Sequence, residues 1–223
     1  MNQTLCLTLL LSAGLGSGAA TASAPKFTNP TKITNRFLPL SGLQKDVLEG
    51  TSGAHTTRVE RTLLTGTKTF KIGKQAVKAA IVEDRDYTDG KLEEITLDYF
   101  AQSDAGAVYY LGEDVDNYRN GKVVGHSGAW LYGKQTNNLG VIMAARPAKG
   151  TKWQLENVRG IAVEGDEVVS LSERVVTPSG TYRNCLKVKE TTSDEVEYKY
   201  YAPGVGVVWE SGAKGGGARL VRR

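Results

Sequence analysis

Of the residues able to make a site, the acids are the most unevenly placed. Residues 83–118 carry eleven Asp/Glu against two Lys/Arg, a net of −9 in a chain whose net charge is +4. Residues 25–82 carry ten Lys/Arg against three Asp/Glu. Asp84-Arg85-Asp86-Tyr87-Thr88-Asp89-Gly90 nearly opens an EF-hand loop, but its glycine comes one position late and Ile95 stands where a bidentate glutamate is required. Asp114-Val115-Asp116 fails in the same way, with Arg119 at the glycine position. The acids could still meet in space, Asp84, Asp86 and Asp89 with Glu113, Asp114 and Asp116, and oxygen donors from two loops would suit a hard cation. The preferred reading is a charged rim that keeps strand edges soluble and unpaired, with no metal and no cofactor.

Other chemistries find less. Gly125-His126-Ser127-Gly128 lacks the residue that a nucleophile elbow needs between serine and second glycine. Neighbouring side chains on a strand point to opposite faces, so His126 could not serve Ser127 as base there, and nothing marks His55 for the role. Two histidines and one thiol lack the close spacing of a zinc site. Gly204-Val205-Gly206 joins strands rather than opening a helix, so it cannot cradle phosphate. Cys185 shares strand parity with Arg183, Lys187 and Lys189, and an unbroken alternation would set its thiol among cations that lower its pKa. The preferred reading is a small, half-buried strand residue. No catalytic residue, and no enzyme, is expected.

Aromatic residues remain, with tyrosine outnumbering phenylalanine ten to four, and amphipathic rings suit partly wet surfaces. Tyr99, Tyr110, Trp130, Trp153, Tyr198, Tyr200 and Trp209 are the candidate ligand-binding residues. The competing reading makes them core and cross-strand pairs.

The elements that must position these residues read as strands. Ile95, Leu97, Tyr99 and Ala101 alternate with Glu94, Thr96, Asp98, Phe100 and Gln102, so the period is two and one face is apolar. Asp89-Gly90 and Asn120-Gly121 are tight-hairpin signals, and Asp104-Ala105-Gly106, Pro178-Ser179-Gly180 and Pro203-Gly204 mark further turns. No apolar series of helical spacing runs for twelve residues or more. The expected fold is mainly β, an antiparallel meander curled into a half-barrel, barrel or sandwich with at most one or two short helices.

Residues 1–22 hold no charged side chain, and the apolar run Leu5–Leu11 leads into small residues, as in a signal peptide. Cleavage is expected after Ala22, and Cys6 sits too early to carry a lipid. The run is too short for a spanning helix, which needs about 20 apolar residues. The expected plan is a signal peptide at 1–22, an extended segment at 23–44, one β domain at 45–211 and a Gly-rich basic tail at 212–223. With basic residues otherwise scattered, a nucleic-acid footprint is not expected, and Cys185 alone cannot form a disulfide within the mature chain.

Three stretches bear a resemblance: Asp89-Gly90-Lys91-Leu92-Glu93-Glu94 running on through Asp98-Tyr99-Phe100-Ala101-Gln102 to Tyr110-Leu111-Gly112-Glu113-Asp114; Gly180-Thr181-Tyr182-Arg183-Asn184-Cys185-Leu186-Lys187; and Tyr200-Tyr201-Ala202-Pro203-Gly204-Val205-Gly206-Val207-Val208. Over roughly residues 37 to 211 the chain resembles a family of secreted bacterial proteins without an assigned function. Its ending is distantly similar to periplasmic proteins with the curved sheet of lipoprotein carriers, which implies a β half-barrel with an apolar concave face. The expected function is non-catalytic binding of a lipid or another apolar or amphipathic ligand, in the periplasm or after secretion. The alternative is an envelope module, structural or partner-binding, that presents residues 83–118 to another protein, with or without a bound cation.

Overall fold

The computed structural model describes residues 24–193, 195–212 and 216–223. The expected signal peptide, with Cys6, lies outside them. The described elements are a 3₁₀ turn at Leu40–Gly42 and fourteen strands: β1 (Lys45–Ser52), β2 (His55–Ile72), β3 (Gln75–Thr88), β4 (Lys91–Gln102), β5 (Val108–Arg119), β6 (Lys122–Gly125), β7 (Trp130–Leu131), β8 (Gly140–Met143), β9 (Lys152–Val158), β10 (Ala162–Thr177), β11 (Gly180–Thr191), β12 (Val196–Ala202), β13 (Gly206–Ser211) and β14 (Gly216–Arg222). All belong to one antiparallel sheet in the order β6-β5-β4-β3-β2-β1-β14-β13-β12-β11-β10-β9, with β7 and β8 paired to β5. The sheet is not closed. No helix among the described residues is long and apolar enough to cross a membrane.

The hairpin signals fold as read. Asp89 and Gly90 take φ of 50° and 73°, and Asn120 and Gly121 take 54° and 72°, the pair of left-handed residues that lets a two-residue turn follow the strand twist. Curvature comes from the length of the meander. On a flat sheet β2 and β13 would stand three spacings apart, about 14 Å at roughly 4.8 Å each. Arg61 on β2 nevertheless reaches Glu210 on β13 at 2.7 Å, so the sheet is rolled with this face inside.

The expected tail is a strand from Gly216 to Arg222. β14 lies between β1 and β13, with Leu220 fully buried. Glycine is required there for close approach rather than for looseness. A Cβ on Gly50 would lie 1.7 Å from the Gly217 carbonyl oxygen, and one on Gly216 would lie 2.3 Å from that of Thr51. The segment at 24–44 is likewise part of the core. Gln102 Oε1 accepts from the amides of Thr34 and Asn35, while Ile33, Phe37, Leu38, Leu40 and Leu43 are buried.

Apolar residues collect on both faces. The larger cluster lines the concave side and continues onto the other face of β12 and β13 through Tyr200 and Trp209, and a second, around Phe70, Ile72, Tyr99, Ala101 and Leu111, packs on the convex side with Phe27 and Tyr109. Cys185 joins the larger cluster because strand alternation fails beside it. Asn184 takes φ of 53° and the ladder with β10 slips on either side of the Glu173–Cys185 pair. Cys185 and Leu186 are therefore both buried, and burial pushes the thiol up, away from the reactive range.

If β14 carries this much of the core, Leu220→Ala should cost about 2–5 kcal/mol in urea unfolding. Removing residues 212–223 should abolish the cooperative melt, by baring the edges of β1 and β13. A truncated chain that melts with the full-length protein would show β14 to be dispensable.

Candidate functional site

On β3, Ala80, Val82, Asp84 and Asp86 share one parity. Their partners on β4 are Phe100, Asp98, Thr96 and Glu94, whose own partners on β5 are Tyr110, Glu113, Val115 and Asn117. Ala80, Val82, Phe100 and Tyr110 belong to the concave core, so the polar parity of β4 faces inward. The convex face is covered as well, which is why Tyr99, Phe100 and Ala101 are all buried in succession. The other half of the sheet repeats the arrangement with Glu164 and Asp166 on β10, Glu190 opposite Asp166 on β11, Lys199 on β12 and Glu210 opposite Lys199 on β13.

A cavity of ≈ 280 Å³ lies between the two halves. Its apolar lining comes from Leu38, Leu40, Val82, Phe100, Ile142, Leu155 and Val207. Its charged lining is Asp84, Asp98, Glu113, Glu156 and Glu164, five carboxyls, against Arg61 and Lys199, with Tyr110 and Tyr201 between. Arg61 donates from Nε to Asp84 Oδ2 at 3.0 Å and from Nη2 to Glu210 Oε1 at 2.7 Å. Lys199 Nζ stands 3.1 Å from Glu190 Oε2. Three rings hold further carboxyls: Tyr110 Oη donates to Asp98 Oδ1 at 2.6 Å, Trp130 Nε1 to Glu156 Oε1 at 2.8 Å and Trp153 Nε1 to Asp166 Oδ2 at 2.7 Å.

Two cations cannot neutralise this many acids, and the carboxyls respond by holding protons. Burial, reinforced by the charge of Asp84, pushes Asp86 up to about 7 and Asp98 well above the usual carboxylate range. Burial and Glu156 push Glu113 up to about 8. Glu210 goes the other way. Burial would raise it, but Arg61 and Lys199 together outweigh that and hold it below its ordinary value.

The seven aromatic candidates do not share a face. Tyr110 lines the cavity. Trp130 packs edge-on against it, ring centroids 5.3 Å apart, and Trp130 and Trp153 meet the interior through their N–H groups. Tyr198, Tyr200 and Trp209 lie on the opposite parity from Lys199 and Glu210. There Lys187 sits over Tyr198, Tyr200 stacks on Trp209 at 4.2 Å, and Arg219 covers Trp209. Tyr99 belongs to the convex cluster and donates to Asp114. The concave aromatic face expected from sequence is thus a mixed apolar and carboxyl surface, because inward positions on β3, β4, β10 and β11 are acids.

The two acidic clusters of the sequence reading come together only in part. Asp84 and Glu113 line one cavity. Asp89 turns to His55 at the hairpin, Asp114 bonds Lys68 on the convex side, and Asp116 pairs with His126. Neither near-EF-hand is a loop, since Asp84–Thr88 and Asp114–Asp116 lie within strands. Ser127 donates its amide to Asn117 Oδ1, and His126 Nδ1 bonds the Val115 carbonyl oxygen. The acids of β9 to β11 went unremarked in the sequence. Glu164-x-Asp166 on one strand was the available signal, and its partner Glu190 lies across the next hairpin.

No protein family matches the chain, and no curated protein matches it either. Among solved structures it is similar to one from Parabacteroides distasonis ATCC 8503 described as a "putative lipoprotein", at 12% identity and a TM-score of 0.43, over 84% of this chain and 98% of that one. A likeness at that level carries no argument about task. The resemblance to secreted proteins therefore rests on the motifs quoted for it, while the mainly β fold stands on the strands themselves.

Two outcomes follow from the charges. A carboxyl raised on folding contributes stability that is fully present below its unfolded value near 4 and lost as pH rises through the folded one. With Asp86 at about 7 and Glu113 at about 8, the melting temperature should fall between pH 5 and 8.5 at constant ionic strength. Each kcal/mol lost lowers it by roughly 2–4 °C in a domain of this size, and Glu113→Gln should flatten the upper part of the fall. A flat or rising profile would mean that these carboxyls are ionised throughout. Separately, Arg61→Ala leaves Asp84 and Glu210 without their shared cation and should cost about 3–5 kcal/mol in urea unfolding. Adding Asp84→Asn and Glu210→Gln should recover most of that loss.

Proposed function

We propose that this chain is an exported, non-catalytic binding protein whose concave cavity takes a small amphipathic ligand with a cationic head group. The cavity lining carries the reading: apolar side chains for a hydrocarbon portion, with five carboxyls against two cations for the head. Its ≈ 280 Å³ lies just below the usual span of ligand pockets, roughly 300–1,000 Å³, which favours a short-chain amine over a full lipid. An incoming ammonium would supply the positive charge that Arg61 and Lys199 leave wanting. Binding would then displace protons from Asp98 and Glu113, so affinity should rise with pH up to about 8. The signal-peptide composition of residues 1–22 supports export.

The alternative, an envelope module presenting the acidic segment 83–118, has weaker support. Asp84, Asp86, Glu94, Asp98 and Glu113 share the inward parity, and Glu83, Asp89 and Asp114 are bonded to Arg85, His55 and Lys68. Five of the segment's eleven acids are therefore turned inward and three more are bonded, so less of the charge is left to present to a partner.

Titration calorimetry with octylamine and with octanoate tests the proposal at equal chain length. Octylamine should bind, with a heat that depends on the buffer's ionisation enthalpy, and Asp98→Asn with Glu113→Gln should weaken it at least tenfold. Octanoate binding as well as octylamine, or an octylamine affinity untouched by the double variant, would overturn it.

A further inference from the structure

Away from Asp98 and Glu113, a second set of acids converges at the β10–β11 side of the cavity. Glu164 and Asp166 stand two residues apart on β10 and so point the same way, and Glu190 is the cross-strand partner of Asp166. One carboxylate oxygen from each lies within 4.8 Å of the other two. Acids gather in this way without an ion, so the decisive observation is a different one. Asp166 is 4% exposed and Glu190 5%, yet Asp166 Oδ1 and Glu190 Oε1 are buried without a hydrogen-bond partner, and so is Glu164 Oε1. The sister oxygens of the first two are committed, Asp166 Oδ2 to Trp153 and Glu190 Oε2 to Lys199. An orphaned buried carboxylate oxygen is costly, and here there is one on each of three neighbouring side chains.

We propose that Glu164, Asp166 and Glu190 bind a hard divalent cation, with calcium the better fit. Once an incoming cation has displaced any protons they hold, three carboxylates beside the single ammonium of Lys199 leave two negative charges, which a divalent ion balances. All three donors are oxygens, the ligands hard cations take. Calcium accepts several protein carboxylates in a flexible shell of six to eight oxygens, whereas magnesium keeps most of its waters and takes one or two carboxylates. Glu164 also lines the cavity, which offers the ion an entry path and room for the waters that complete its shell. Trp153 and Lys199 then act as positioning residues, each tying down one oxygen so that the other is aimed at the ion. The site lies apart from the acids of residues 83–118, and it does not rest on the amphiphile reading.

Trp153 provides the readout, because its indole bonds a proposed ligand directly. Terbium, an oxygen-seeking substitute for calcium, should give tryptophan-sensitised emission that saturates on titration and is displaced by calcium. Asp166→Asn with Glu190→Gln should weaken terbium at least tenfold while keeping the strand signal in circular dichroism, since both changes conserve shape and remove buried charge. Trp153→Phe should lose the sensitised emission yet retain a calcium-dependent rise in melting temperature above that of matched ionic strength. Absence of emission from the native chain, emission unchanged in the double variant, or a calcium effect equal to that of salt alone would overturn the proposal. Octylamine titrated without calcium separates this failure from failure of the cavity reading.

Discussion

The guanidinium of Arg61 is the contact on which the interior depends. It rises from β2 and holds Asp84 on one side and Glu210, three strands away, on the other. Only a rolled sheet brings those partners within one side chain's reach, and once they meet, the inward faces of both halves must share a single space. Lys199 extends the chain of charges to Glu190, on the far side of the same space. Removing either cation leaves carboxylates facing one another at low dielectric, where an unpaired charge is far more expensive than an exposed one.

Those pairs do not account for all the acids. A fold selected only for stability would place Val or Leu at Asp86, Asp98, Glu113, Asp166 and Glu190, since well-packed apolar residues match or exceed buried ion pairs in stability. Keeping them loads the interior with groups that hold protons against their ordinary tendency. Local rules are broken in this way where a protein has a use for the site, and the use proposed above is reception of positive charge. The aromatic residues that touch the interior help to hold these acids in place. Tyr110, Trp130 and Trp153 each contribute one polar hydrogen to a carboxyl and their ring bodies to the apolar packing, which is why they are embedded in the wall instead of forming a stacking platform.

Much of the architecture was legible residue by residue. Asp89-Gly90 and Asn120-Gly121 specify their hairpins because few residue pairs adopt two left-handed conformations in succession, and the two-residue period over 94–102 identifies a strand wherever it is packed.

What the period could not say was which face of each strand would be inside. Alternation is symmetric, and where both faces are covered the polar parity can be the buried one, as on β4, where Asp98 lies inward beside Phe100. Nor could composition place the last strand. The Gly-rich stretch reads as a tail, yet at Gly216 and Gly217 β14 approaches β1 and β13 too closely for any side chain. Cys185 was decided by one slipped residue, Asn184, whose left-handed turn reverses the parity behind it. The convergence of Glu164, Asp166 and Glu190 likewise required the β10–β11 register. The sequence by itself determined the strands, their turns and the charge they carry. The tertiary structure decided where that charge points, because curling the sheet encloses one face of every strand at once, whatever the side chains on it.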